Sequence, residues 1–434
     1  MVKNMKKVIL YLFCCIFLTP IFSGCAVDET SSTEIPSIVF APSEQGENKT
    51  TDIDVYWDAT YSMKGYTTIA QDNAYRALPD DLDDIGSSMG NIKFYGFGKD
   101  IKPLEGREHR KFADGASYDE TITAIYNVVE NADTNHLSII ITDLFESDSD
   151  WSNVTKQLKE KYFSQHLSVA IIGVKNPFKG EIFDVGLNAA KFDYDSGNDP
   201  SKYRPFYMFI LGQDSEVKKF IQLWKNRYAK TNEVQYLVFS ENLMDKAADL
   251  SNMEIKDSNN IFSDEQLSLP NQTLKEYDID SLDENSSLTA SFNYSPATDG
   301  CNLDMNKLNP DIKVWVLKDG QWQESEQSGD IKCIFKPDES QQDNYLVSVN
   351  FTGEKTLTPN SINLIHIAIR PEDTGLILPD WIRAWNMDSS AVNMGQFDGS
   401  KTVNFLHIAE SLKDSVLSTA QPSLVNMNLV IQTK

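Results

Sequence analysis

The chain has 434 residues, 41% hydrophobic and 24% charged, with 21 Gly and 16 Pro. This excludes a collagen-like or low-complexity chain, leaves ample length for buried cores and predicts two or three domains. With 39 Lys+Arg against 64 Asp+Glu the net charge is −25, which argues against nucleic acid and against docking on anionic lipid, because both rely on clustered cations.

Residues 1–24 carry Lys3, Lys6 and Lys7 and no acid, with an apolar run over 8–22. That run is shorter than the ~20 residues of a membrane-spanning helix, so it reads as an export signal. It ends in Phe22-Ser-Gly-Cys25. Small residues before a Cys at that place resemble the lipobox of bacterial lipoproteins, although Phe22 stands where the family usually has Leu. The resemblance implies cleavage before Cys25, its lipidation, and a chain held at a bacterial membrane by lipid. The cell surface and the periplasmic face both remain open as locations. Cleavage removes three lysines and no acid, which moves the net charge from −25 to −28. Of the five cysteines, Cys14 and Cys15 leave with the signal. An exported compartment permits a disulfide between Cys301 and Cys333; two separately buried thiols are the alternative.

Residues 25–50 are rich in Ser, Thr and Glu and read as a tether, with a short strand at 37–41. From 51 to 243 strands and helices alternate. Strands are expected at 52–58, 92–97, 137–142, 167–173, 206–211 and 234–239, and helices at 66–89, 124–132, 151–165 and 215–228. The run Leu137-Ser-Ile-Ile-Ile-Thr142 suits a strand buried on both faces. This alternation predicts an α/β domain with a doubly wound, mostly parallel sheet. Residues 244–287 are polar and acidic and read as a connector. Over 288–434, short alternating runs at 288–294, 312–317, 331–335, 345–351 and 362–369 predict a β-rich domain, an Ig-like sandwich, finished by a helix at 405–417 and a strand at 424–431.

The first strand runs into Asp58-Ala-Thr-Tyr-Ser-Met-Lys-Gly65. An Asp at a strand's carboxyl end, with hydroxyls two and four residues on, puts three oxygens on one tight loop, where ligands of such sheets sit. Oxygen donors suit hard cations: Mg²⁺, Mn²⁺ or Ca²⁺. This resembles the von Willebrand factor A domain and its metal-ion-dependent adhesion site, whose motif is Asp-x-Ser-x-Ser, commonly followed by Met-x-Gly. Asp58, Thr60 and Ser62 occupy the three ligand positions, with Thr60 in place of the middle Ser. The family adds a Thr from a second loop, ahead of a helix. Thr123-Ala-Ile-Tyr-Asn-Val-Val129 matches that pattern, so Thr123 is the fourth ligand, with Asp119, Ser117 and Thr121 as rivals. The family's third loop carries Thr-Asp-Gly after an apolar strand; here Asp143 matches and Leu144 replaces the Gly, which is expected to narrow the approach to the metal.

The resemblance implies a single bound cation with a position open to a partner's carboxylate, so the partner is a protein or envelope component. Arg107, Arg110 and Lys111 lie before Thr123 and are expected as a positive rim for an acidic partner. Other signals are weaker. Residues 192–199 alternate carboxylates but depart from a calcium-loop pattern and read as a polar turn. Trp381 and Trp385 share a helical face, which packs or stacks on sugars. A carbohydrate-binding or envelope-assembly role through the C-terminal domain is therefore the alternative to adhesion. No nucleophile–base pair or catalytic motif stands out, so binding rather than catalysis is expected.

Overall fold

The computed structural model describes residues 51–433 except 145–147, 186–189, 229–232, 246–247, 251–254, 260, 269–272, 280–285, 326–330, 342, 353–355 and 394–395. The expected signal, Cys25 and the tether lie outside the described residues. No helix among the described residues is long and apolar enough to cross a membrane.

The first unit is built from β1 (Thr51–Asp58), α1 (Tyr61–Lys64), α2 (Ala74–Met89), β2 (Gly90–Phe97), β3 (Ile101–Pro103), α3 (Ile125–Asn131), β4 (Leu137–Thr142), α4 (Asp148–Lys161), β5 (Ser168–Asn176), β6 (Lys179–Val185), β7 (Ala190–Asp195), β8 (Arg204–Gly212), α5 (Asp214–Tyr228) and β9 (Val234–Phe239). Its sheet has the order β3-β2-β1-β4-β8-β5-β9. Side chains alternate across it. Ile53, Val55, Trp57, Ile139 and Ile141 share a core with Leu78, Leu82 and Ile85 of α2 and with Phe220 and Trp224 of α5. Tyr56, Ile140, Tyr207 and Phe209 face Val128 and Val129 of α3 and Val154 and Leu158 of α4. The fully buried β4 explains its unbroken apolar run. Asn73 caps α2 by accepting the Arg76 N–H at 2.9 Å.

Strand β1 pairs in parallel with β2 and β4. The expected parallel order holds there and then breaks. β8 runs antiparallel to both β4 and β5, and β9 is antiparallel to β5. The sheet is therefore mixed. A parallel return needs a crossover, usually a helix. Between β5 and β8 the chain instead makes the β6–β7 hairpin and a short 3₁₀ turn at Pro200–Lys202, so β8 comes back beside β5 in reverse.

The second unit has two sheets. One carries Phe262–Ser268, Thr273–Ile279, Val425–Thr433, Ile362–Pro371, Leu308–Lys318 and Gln321–Ser325 in that spatial order; the other carries Ile255–Asn259, Ser286–Asn293, Asn344–Phe351 and Ile331–Pro337. Leu288, Val347 and Val349 of one sheet meet Ile365, Ile367 and Leu429 of the other in one core, which makes a sandwich. Residues 244–287, expected as a connector, contribute strands to both sheets. Tyr277 and Ile279 are buried, while the many acids of the segment gave it its linker-like composition.

The domain boundary also differs from expectation. Between strands Ile362–Pro371 and Val425–Thr433 the chain leaves the sandwich and forms α6 (Asp380–Trp385), α7 (Ser389–Asn393) and α8 (Phe405–Thr419). Ile382, Trp385, Phe405, Ile408, Leu412 and Val416 join the core of Val169, Ile171, Tyr207 and Phe209. Residues 376–420 thus complete the α/β unit rather than the β-rich one. Trp385 lies so close over Gly173 that a Cβ there would stand 2.6 Å from the indole. Trp385 is 2% exposed and belongs to the core, and the half-buried Trp381 packs edge-on against it at 5.1 Å.

Cys301 and Cys333 are unpaired thiols. Cys301 packs against the α/β core and Cys333 against the sandwich core. Burial pushes both up to about 12. The 192–199 segment, expected as a polar turn, is strand over 192–195 and turns only after Asp195, which accepts the Gly197 N–H and pairs with Lys179, while Asp199 accepts from Ser201.

If residues 376–420 belong to the α/β core, Trp385→Ala should destabilise the protein by about 3–5 kcal/mol, the usual range for a buried large aromatic. Equilibrium denaturation read through the α/β unit checks this; an unchanged midpoint would show that the insert is not docked.

Candidate metal centre

Strand β1 has β2 on one side and β4 on the other, so the carboxyl ends of β1 and β4 flank the point where the chain's winding reverses. Asp58 is the last residue of β1 and Asp143 follows β4. They are 0% and 1% exposed. The loop after β1 turns into α1, which presents Thr60 and Ser62. The loop before α3 pairs with it: Tyr61 N donates to Glu120 O at 3.1 Å and Glu120 N to Ala59 O at 3.1 Å. That pairing brings Thr123 alongside.

The five expected residues meet. Asp58 Oδ1 accepts from Thr60 N at 3.0 Å and Thr60 Oγ1 at 2.7 Å. Thr60 Oγ1 stands 3.1 Å from Ser62 Oγ and 3.4 Å from Thr123 Oγ1. Ser62 Oγ donates to Asp143 Oδ1 at 3.4 Å. Of Thr123, Asp119, Ser117 and Thr121, it is Thr123 that makes this contact; Asp119 and Thr121 are exposed.

In an octahedron of oxygens about 2.1 Å from Mg²⁺, neighbouring ligands stand roughly 3.0 Å apart, and for Ca²⁺ at about 2.4 Å roughly 3.4 Å. The hydroxyl and carboxylate spacings of 2.7–3.4 Å are hydrogen-bond distances that overlap these edges, and two carboxylates with three hydroxyls are the kind of oxygen donors a hard divalent ion takes. The set holds two carboxylates only: among the described residues no group of three or more His, Cys, Asp or Glu could hold a metal.

Two residues that sequence reasoning passed over complete the centre. Thr142 donates to Asp58 Oδ2 at 2.9 Å and accepts the Leu144 N–H at 3.2 Å; its place before Asp143 was the available signal. Arg204, at the start of β8, lies 3.5 Å from Asp143 Oδ2 with 1% exposure. Nothing local in the sequence marks it.

Leu144 does not narrow the approach. Its φ is +61°, and its side chain packs into the core with Ile125, Val128 and Trp151. The positive φ explains why glycine suits that position. The expected positive rim is also modified. Arg110 pairs with Asp80 at 2.7 Å and Asp83 at 3.2 Å, Lys111 pairs with Glu108 at 3.0 Å, and Arg107 is exposed. His109 stacks on Phe94 at 3.9 Å. Arg110 and Lys111 are therefore paired with acids of α2 and of their own turn, and Arg107 stays exposed.

When the sequence is compared with known proteins, no family model matches it and no curated protein matches it.

Burial, and next the charge of Asp143, raise Asp58 from 3.8 to about 7, opposed by the bonds from Thr60 and Thr142. Because the folded state holds that proton longer than the unfolded chain, the metal-free protein loses stability as pH rises from about 4 to about 7. Asp58→Asn should raise the Tm of metal-free protein at pH 8, and the advantage should vanish near pH 4. Equal melting of both proteins at pH 8 would contradict this. Leu144→Gly relieves the positive φ but empties core volume. The Leu→Ala range of about 2–5 kcal/mol exceeds the roughly 1–2 kcal/mol of backbone strain, so chemical denaturation should show net destabilisation.

Proposed function

We propose that this chain is an exported lipoprotein, anchored through Cys25, with a von Willebrand factor A-type α/β unit. In this reading Asp58, Thr60, Ser62, Thr123 and Asp143 hold one divalent cation, Mg²⁺ or alternatively Mn²⁺ or Ca²⁺. The site then docks a protein or envelope component that offers a carboxylate. The observation that carries the reading is the convergence of these side chains from three loops, with neighbouring oxygens 2.7–3.4 Å apart.

A bound ion would supply an electrophilic position for a partner's carboxylate. The chain's own residues do the rest. Asp58 and Asp143 provide the charge, and the hydroxyls of Thr60, Ser62 and Thr123 provide neutral donors. Thr142 keeps Asp58 oriented through its 2.9 Å bond.

The surroundings favour a macromolecular partner. Five large hydrophobic side chains are exposed among the described residues, and three of them flank this centre. Tyr61, 44% exposed, lies between Thr60 and Ser62; Ile122, 54%, precedes Thr123; Tyr126, 39%, follows on the first turn of α3. Apolar side chains grouped around a polar centre mark docking surfaces. The alternative through the sandwich loses its paired tryptophans, since Trp385 is core of the α/β unit.

Calorimetry with Mg²⁺, Mn²⁺ and Ca²⁺ should show one ion bound by the wild type and none by Asp58→Ala. A wild type silent to all three cations would refute the site. Capture of an envelope partner should then be lost in EDTA and weakened in Tyr61→Ser/Ile122→Ser.

A further inference from the structure

Arg204 is one of the largest fully buried side chains described. It opens β8, the strand whose reversal brings its start next to the end of β4. Its Nη2 lies 3.5 Å from Asp143 Oδ2. Its Nη1 donates to the carbonyls of Gly399 at 3.2 Å and Lys401 at 3.4 Å, both in the inserted segment between α7 and α8. The guanidinium carbon stands 5.6 Å from the centre of the Phe178 ring, and Nε has no hydrogen-bond partner. Phe178 in turn leaves no room for a Cβ on Gly65, at the end of α1. The cation is thus held from three sides and cannot swing to solvent.

Arginine stays protonated in proteins. With both carboxylates ionised, as cation binding requires, the guanidinium brings the charge of the centre from −2 to −1. A divalent ion among the site oxygens would share Asp143 with a fixed positive charge. In a water-poor interior such repulsion is large.

We propose that Arg204 is a built-in counter-cation that holds Asp143 in the absence of metal and weakens the centre's grip on a divalent ion. This rests on the metal reading above. It makes Arg204 a positioning residue, whose cost to metal affinity is set by the carbonyls of Gly399 and Lys401. A weak site releases its ion readily, so occupancy follows the surrounding cation concentration and the presence of a partner.

The test is Mg²⁺ calorimetry on the full chain with Arg204→Gln, Arg204→Met and Arg204→Lys, each checked for folding by circular dichroism. Removing one unit charge a few ångströms from a divalent ion should tighten binding by at least about tenfold. Both neutral variants should show this, while Arg204→Lys, which keeps the charge, should stay within about threefold of wild type. Loss of a merely structural residue would weaken binding, so the sign separates the two roles. If the wild type is silent and a neutral variant binds, Arg204 is the counter-cation and the native site is self-neutralised, which overturns the metal reading alone. If the wild type binds and the neutral variants bind equally or more weakly, the role of Arg204 is overturned and the metal reading stands. If none binds, both fall. Should neither neutral variant fold, a tenfold gain in Arg204→Lys would overturn the proposal, and unchanged affinity would support it.

Discussion

Two carboxylates buried side by side at the ends of neighbouring strands impose the constraint on which the rest of this structure turns. Asp58 and Asp143 are almost without solvent, and a buried charge is tolerated only where it is paired and hydrogen-bonded. Each partner then has to be delivered by a different piece of chain. Thr60 and Ser62 come from the turn into α1, Thr142 from β4 and Arg204 from β8, and Thr123, from the loop before α3, contacts Thr60 in turn. The guanidinium needs partners of its own and finds two of them on the segment between α7 and α8. The polar demand of one centre therefore reaches across most of the α/β unit.

That reach depends on how the chain is interleaved. It builds the α/β sheet, passes into the sandwich, returns for α6 to α8, and ends in a sandwich strand. The helices laid down on the return cover β5 and β8 through Ile382, Trp385, Phe405 and Ile408. An α/β unit cut at 243 would leave part of that face bare and Arg204 without its carbonyl partners. The covering layer is an insertion between two neighbouring strands of the sandwich, the second of which is Val425–Thr433.

The outer surface near the centre follows a different logic. In the basic run before Thr123, Arg110 and Lys111 are paired with acids of α2 and of their own turn, and Arg107 is exposed. The apolar side chains Tyr61, Ile122 and Tyr126 remain exposed there. A docking partner would thus gain affinity from apolar burial around a polar anchor, a division of labour common at interfaces, where charge mostly sets orientation and encounter.

Much of this was legible before any coordinates. An unbroken apolar run marked β4, and the alternation of strand-like and helix-like stretches marked the other main elements of the sheet, because burial on one or both faces leaves a pattern in the residues themselves. The spacing of Asp58, Thr60 and Ser62, and the placing of Asp143 directly after an apolar strand, were local patterns as well. The reversal of β8, the strands hidden in the acidic 244–287 stretch, the return of residues 376–420 to the first core, and the pairing of Arg204 with Asp143 were not. Each depends on contacts between distant segments, about 60 residues apart for Arg204 and Asp143 and nearly 200 for Arg204 and Gly399. Sequence alone determined the main strands and helices of the α/β sheet and which oxygens share a loop, since those follow from short-range period and backbone stereochemistry. Tertiary structure decided which segment lies beside which, and with it the charge at the centre, because only packing brings a buried cation to a carboxylate far away along the chain.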